Sequence, residues 1–198
     1  MARTKGSSGE KTLLAIRKAG LKLIYQHGYE AMSLRDLARA VGIQQGSLYN
    51  HIETKQALLF DLMRGHLEKL VTELDARLAG AADPVARLRI FIDFHLTYHM
   101  ERKSEVYINN SELRSLEPQN LVKIKALRKA YETRLIDILK DGQARKLFSI
   151  ADASVTAFAL IAMLTGVCAW YKPKGPLSQA ELVNIHTDLI QRGVVAAA

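Results

Sequence analysis

Apolar positions in this chain recur three and four residues apart, and almost nowhere in strict alternation, so the pattern predicts helices and no strands. Leu13, Ile16, Leu23 and Ile24 share one face of a helix from about Lys11 to His27, with Lys11, Arg17, Lys18 and Lys22 as its polar complement. Gly28 is placed to stop that helix. Ser33 reads as the N-cap of a second helix, with Asp36 three residues on; Leu34, Leu37, Ala38 and Val41 mark its buried face, and Gly42 ends it. A third, short helix is expected from Gln45 to Ile52. Thr54 caps a long fourth one, whose apolar stripe runs through Leu58, Leu59, Leu62, Met63, Leu67, Leu70, Val71, Leu74 and Leu78. After the loop ending at Pro84, helices are expected over 84–102, 105–115, 118–141, 152–171 and 178–193. The fold class is therefore all-α with about nine helices.

The run from Ala153 to Tyr171 carries no charge. Its length would allow it to cross a membrane. Two threonines, a serine and a glycine interrupt it, and charged amphipathic helices flank it, so burial in a large core or a subunit interface is the reading preferred here. The N-terminal stretch MARTKGSSGE is basic and Gly/Ser-rich; it reads as a flexible arm over residues 1–9 and has no apolar segment of a secretory signal. The one cysteine, Cys168, excludes an internal disulfide framework and fits a reducing cytoplasm.

Charge changes the picture more than composition does. The 198 residues carry a net charge of +8, yet residues 1–55 hold nine Lys/Arg against four Asp/Glu. A basic first quarter points to a polyanionic partner. In that quarter, residues 33–52 read as helix, glycine-containing turn, helix, the helix-turn-helix arrangement that places its second helix in the major groove. Gln44, Gln45, Ser47 and Asn50 can donate and accept hydrogen bonds at base edges, and glutamine suits adenine. Leu48 and Ile52 are the inward anchors. Tyr49 and His51 can reach phosphates, and Lys55 lies at a helix start where a salt-sensitive phosphate contact fits. A basic helical interaction protein without sequence-specific DNA binding shares the charge asymmetry, but does not explain this turn.

Residues 19–63, AGLKLIYQHGYEAMSLRDLARAVGIQQGSLYNHIETKQALLFDLM, closely resemble the DNA-binding domain of the TetR family of bacterial repressors. The resemblance rests on HGYEAMSLRDLA, AVGIQQGSLYNHI and TKQAL. It implies a DNA-binding domain over residues 1–54 and an effector-binding and dimerisation domain over 55–198. It implies that Arg35 braces the second helix on the backbone, and that Gln44, Gln45, Ser47, Tyr49, Asn50 and His51 form the reading surface, with Tyr49 and Lys55 largely on phosphate. A homodimer on a pseudo-palindromic operator, released by a small molecule, follows from the same likeness. The last two helices would make a four-helix bundle with their partners. Asn50-His51-Ile52 departs from the aromatic residues that many members carry there, which bears on the base sequence read.

For the effector, FIDFHLTYHMERKSEVYINNSEL (91–113) concentrates Phe91, Phe94, His95, Tyr98, His99, Tyr107, Asn109 and Asn110. Aromatic lining with a few polar groups suits a small-molecule pocket, and Phe91, Phe94, His95, Tyr98, Tyr107, Asn110 and Trp170 are its candidate lining. Core packing with polar ends reaching water suits the same residues. His95 and His99 have a metal-ligand spacing, but no third ligand stands at a recognisable distance, so no metal and no cofactor is assigned. WYKPKGPLSQAELVNIHTDLIQRG (170–193) resembles the C-terminal end of a subgroup regulating lipid, sterol-side-chain and fatty-acid breakdown, whose effectors are often acyl-CoA thioesters. Arg102, Lys103, Arg128 and Lys129 are candidate cations for its phosphates. No G-x-S-x-G, glycine-rich phosphate loop or H-E-x-x-H occurs, so no enzyme is expected.

Overall fold

The computed structural model describes residues 5–196, with side chains from residue 9 onward. Nine α-helices occur among them: α1 Lys5–His27, α2 Leu34–Val41, α3 Gln45–Leu48, α4 Lys55–Leu78, α5 Pro84–Glu101, α6 Lys103–Ser111, α7 Pro118–Ala144, α8 Ala153–Trp170 and α9 Gln179–Val194. A 3-10 helix, Glu112–Ser115, follows α6. No strand forms among the described residues beyond a single antiparallel bridge between Phe148 and Val195.

The caps legible in the sequence set the helix ends. The Ser33 hydroxyl accepts the Asp36 N–H, and Gly42, at φ 76°, closes α2 in the left-handed conformation that costs glycine least. The Thr54 hydroxyl accepts from Ala57 N–H at 2.9 Å at the start of α4. Three expectations need correction. The arm expected over residues 1–9 is helical from Lys5: no proline interrupts it, and adding turns to a formed helix is easier than nucleating one. Residues 1–4 lie outside the described residues. The third helix stops at Leu48 rather than Ile52. There the ladder tightens, with His51 N–H donating to the Leu48 carbonyl at 2.8 Å, and Tyr49–His51 form a turn. The expected helix 105–115 is two pieces, because the last four residues tighten to 3-10 geometry.

The chain folds into two compact units, drawn differently from the expected division at residues 54 and 55. The head unit contains the chain up to Leu67 together with Ser104–Lys125. In it α1 packs on α2 and α2 on α3, around buried Ile16, Ile24, Leu37, Leu48, Leu58, Leu59 and Met63. Arg17 grips Asp61 with two 2.5 Å hydrogen bonds, tying α1 to α4. The later segment is held by main-chain clips. Glu112 accepts the Tyr29 N–H at 3.2 Å, and the Gln56 side chain donates to the Ser115 carbonyl and accepts the Glu117 N–H.

The core unit contains Glu68–Lys103 and Ala126–Ala198. Here α5 packs on both α8 and α9, burying Leu88, Phe91, Ile92 and Leu96 completely. Arg134 holds Asp75 through two hydrogen bonds of 3.0 and 2.9 Å. The Phe148 ring lies on the bare backbone of Gly142. The apolar helix Ala153–Trp170 is long enough to cross a membrane by length and composition, but its flank toward α5 is buried protein interior. Val155 and Phe158 on α8, and Ile185 and Leu189 on α9, remain exposed.

Candidate nucleic-acid interface and effector core

The reading turn is built on two anchors. Leu48 is fully buried and Ile52 nearly so, and between and before them Gln44, Gln45, Tyr49 and Asn50 are exposed, while Ser47 and His51 are half-buried. Gln44 occupies the N-cap of α3 without spending its side chain on the helix, so its amide is free to face outward. Arg35 is exposed on the first turn of α2. The neighbouring Asp36 does not compete for Arg35. The Ser33 hydroxyl and then Arg39 hold its carboxyl below the ordinary range, and Arg39 is its ion-pair partner. Gly9 in α1 faces His51, so the start of α1 borders the turn.

Lys55 is placed differently from a free phosphate hook. Its ammonium donates to the Glu30 carbonyl at 3.1 Å and stands 4.2 Å from the centre of the Tyr29 ring. Two of its three N–H donors are left for other partners.

The effector candidates divide between the two units. Phe91, Phe94, His95 and Tyr98 lie together on α5 and are almost completely buried. Tyr107 and Asn110 belong to the other unit. Both are exposed on α6 in the head unit, where Tyr107 meets the Tyr25 ring edge-on at 5.2 Å. Trp170, at the end of α8, is exposed as well.

Within the core unit, α5 recruits Tyr131 and Thr165, which apolar spacing does not reveal. His95 Nδ1 is hydrogen-bonded to the Tyr131 hydroxyl at 2.9 Å and its Nε2 to the Thr165 hydroxyl at 3.0 Å, so one imidazole joins α5, α7 and α8. The His99 ring stacks on that of His95 at 3.8 Å, and its Nδ1–H donates to the His95 carbonyl at 2.8 Å. Both nitrogens of His95 are therefore used by protein hydroxyls, and the two rings lie face to face instead of converging on a point as metal ligands do. Burial, then the neighbouring His99, push His95 well below the ordinary imidazole range, and burial lowers His99 to about 4. Burial likewise raises the Tyr131 phenol. All three are neutral near pH 7. Thr165, one of the three hydroxyls that interrupt the uncharged run, is the local signal of this network. At its rim, Arg102 lies over the Tyr98 ring at 3.9 Å and Lys103 donates to the Tyr171 carbonyl at 2.8 Å.

Residues 16–62 match the family described as bacterial regulatory proteins, tetR family, and residues 81–194 match the tetracyclin repressor-like C-terminal domain. The chain belongs to the TetR family. Among relatives of this TetR-family chain, the transcriptional repressor KstR2 of Mycolicibacterium smegmatis is 28% identical over 171 residues, covering 84% of this chain and 82% of its own. The structure of the TetR-family regulator PfmR from Thermus thermophilus superposes with a TM-score of 0.82 at 33% identity, covering 90% of this chain and 97% of PfmR. AibR, solved in complex with isovaleryl coenzyme A and operator DNA, gives a TM-score of 0.83 at 26% identity, with 90% and 97% covered. The molecule is thus a TetR-family transcriptional regulator, all-α, with a helix-turn-helix head and a larger helical part.

Proposed function

We propose that this regulator is a repressor that binds a pseudo-palindromic operator as a homodimer and leaves it when a small hydrophobic effector binds. The observation that carries the DNA half is the reading turn: Gln44, Gln45, Tyr49 and Asn50 stand exposed on a base fixed by buried Leu48 and Ile52. In this reading Gln44, Gln45, Ser47 and Asn50 address base edges, while Arg35, Tyr49, His51 and Lys55 hold phosphates. Dimerisation is assigned to α8 and α9, whose exposed Val155, Phe158, Ile185 and Leu189 would be covered by the partner. A regulator of this kind works on chromosomal DNA, in the cytoplasm, and carries out no catalysis.

For the effector, the reading is an acyl-CoA thioester whose acyl end enters the core unit beside Phe91, Phe94, His95 and Tyr98. What supports it is the likeness to AibR, which was solved with isovaleryl coenzyme A, and the uncharged polar network at His95, which suits a carbonyl better than a free carboxylate. Tyr107, Asn110 and Trp170, all exposed, are kept as effector candidates.

The test is an anisotropy titration against DNA flanking the protein's own gene, at fixed salt, with random DNA as control. Tyr49→Ala should weaken binding to both DNAs, and Gln45→Ala should narrow the gap between them by about tenfold, within the 1–3 kcal/mol of one bidentate base contact. An acyl-CoA panel added to the complex identifies the ligand class. Equal affinity for both DNAs would remove the repressor reading, and release by none of the thioesters would remove the acyl-CoA assignment alone.

A further inference from the structure

The outer flank of α1 carries a feature that neither DNA reading nor dimerisation uses. A groove of about 600 Å³ lies within the head unit, with Ala15, Lys18, Ala19, Lys22, Val41 and Ser104 among its lining. Its α1 lining extends from Ala15 to Gln26, about 16 Å along the helix, with Ala15, Lys18, Ala19, Lys22 and Gln26 on one face. The groove exists because Ala15 and Ala19 offer only methyl groups where a larger side chain would fill it. The end of α2 forms a wall through Ala40 and Val41, and Tyr25, braced edge-on by Tyr107, borders it.

Lys18 and Lys22 are one helical turn apart, and both are exposed without an ion-pair or hydrogen-bond partner among the described residues. Like charges at that spacing disfavour a helix. Here two uncompensated ammonium groups overhang an apolar floor. A DNA backbone would call for the lysines but leave the floor without purpose, whereas an uncharged lipid would leave the lysines without purpose. The volume falls in the range of small-molecule sites.

We propose that this groove binds an elongated amphiphile with one anionic head, of the medium-chain carboxylate class. The carboxylate sits between Lys18 and Lys22, and the chain lies along Ala15, Ala19 and Val41. The site is separate from the His95 network and does not rest on the operator reading. Val41 stands three residues before Gln44, so an occupant touches the helix that leads directly into the reading turn.

Alanine-methyl NMR on the full-length protein tests this, since Ala15, Ala19 and Ala40 all line the groove. Decanoate and decanol are titrated separately, each below its aggregation limit. Saturable shifts of these three methyls with decanoate are expected, with decanol binding at least about tenfold more weakly, the weight of one charged contact. The double variant Lys18→Glu/Lys22→Glu should lose decanoate by a similar factor. Ala15→Leu, at an exposed helix position that tolerates the change, should block the groove with the charges intact, and it carries the test if the double variant fails to fold. Unmoved methyls, equal binding of decanol, or undiminished binding by Ala15→Leu would each overturn the proposal.

Discussion

Two imidazoles stacked 3.8 Å apart inside a helical core make stability depend on pH in one direction. In the unfolded chain they take up protons near the ordinary value of 6.5, whereas folded His99 resists until about 4 and burial holds His95 well below its ordinary range. Below pH 6.5 the unfolded state therefore binds more protons, and stability drains away as pH falls from 6.5 toward 4. Each histidine contributes a slope of at most about 1.4 kcal/mol per pH unit in that window. His99→Gln removes one titration and should flatten the dependence of the denaturation midpoint on pH between 6.5 and 4; an unchanged profile would mean that these rings are hydrated in solution. His95 is the costlier position to alter, because Tyr131 and Thr165 would both lose a buried partner.

At the scale of elements, the end of α7 is set by a contact too close for any side chain. A Cβ on Gly142 would overlap the Phe148 ring, and Phe148 itself is buried. Gly142→Ala should cost about 1–3 kcal/mol by chemical denaturation, since either the ring or the helix end has to move. That glycine reads in sequence as one more poor helix former, and its purpose is visible only once the chain has turned back. The same divide separates what was legible from what was not. Ser33, Gly42, Thr54 and Pro84 announce helix ends because caps are local chemistry within three or four residues. The premature end of α3 was not legible, because apolar spacing carried through to Ile52 while the turn tightened around Tyr49–His51. Nor were the partners of His95, which lie 36 and 70 residues away along the chain. Tyr107 and Asn110 were grouped with α5 by sequence proximity, and the break at Arg102 sends them to a different unit.

At the scale of the whole molecule, the uncovered surfaces of α8 and α9 bear directly on assembly. Phe158 is 52% exposed and Leu189 57%. Isolated residues of this kind are ordinary, but Val155 and Phe158 share one face of α8 and Ile185 and Leu189 one face of α9, and in the proposed dimer a second copy covers them. Phe158→Glu/Leu189→Glu should shift the sedimentation mass from about two chains to one at micromolar concentration and lower operator affinity by at least about tenfold, because a single head reads only one half-site. Retention of the two-chain mass would exclude this face as the interface. The reading turn has a consequence of another kind. Leu48 and Ile52 anchor it in the interior, and the exposed neighbours Gln44, Gln45, Tyr49 and Asn50 take no part there. Under the proposed assignment of Gln44, Gln45 and Asn50 to base edges, exchanging these exposed residues leaves the scaffold's stability nearly untouched, so a lineage can wander from one binding sequence to another through viable, folded intermediates.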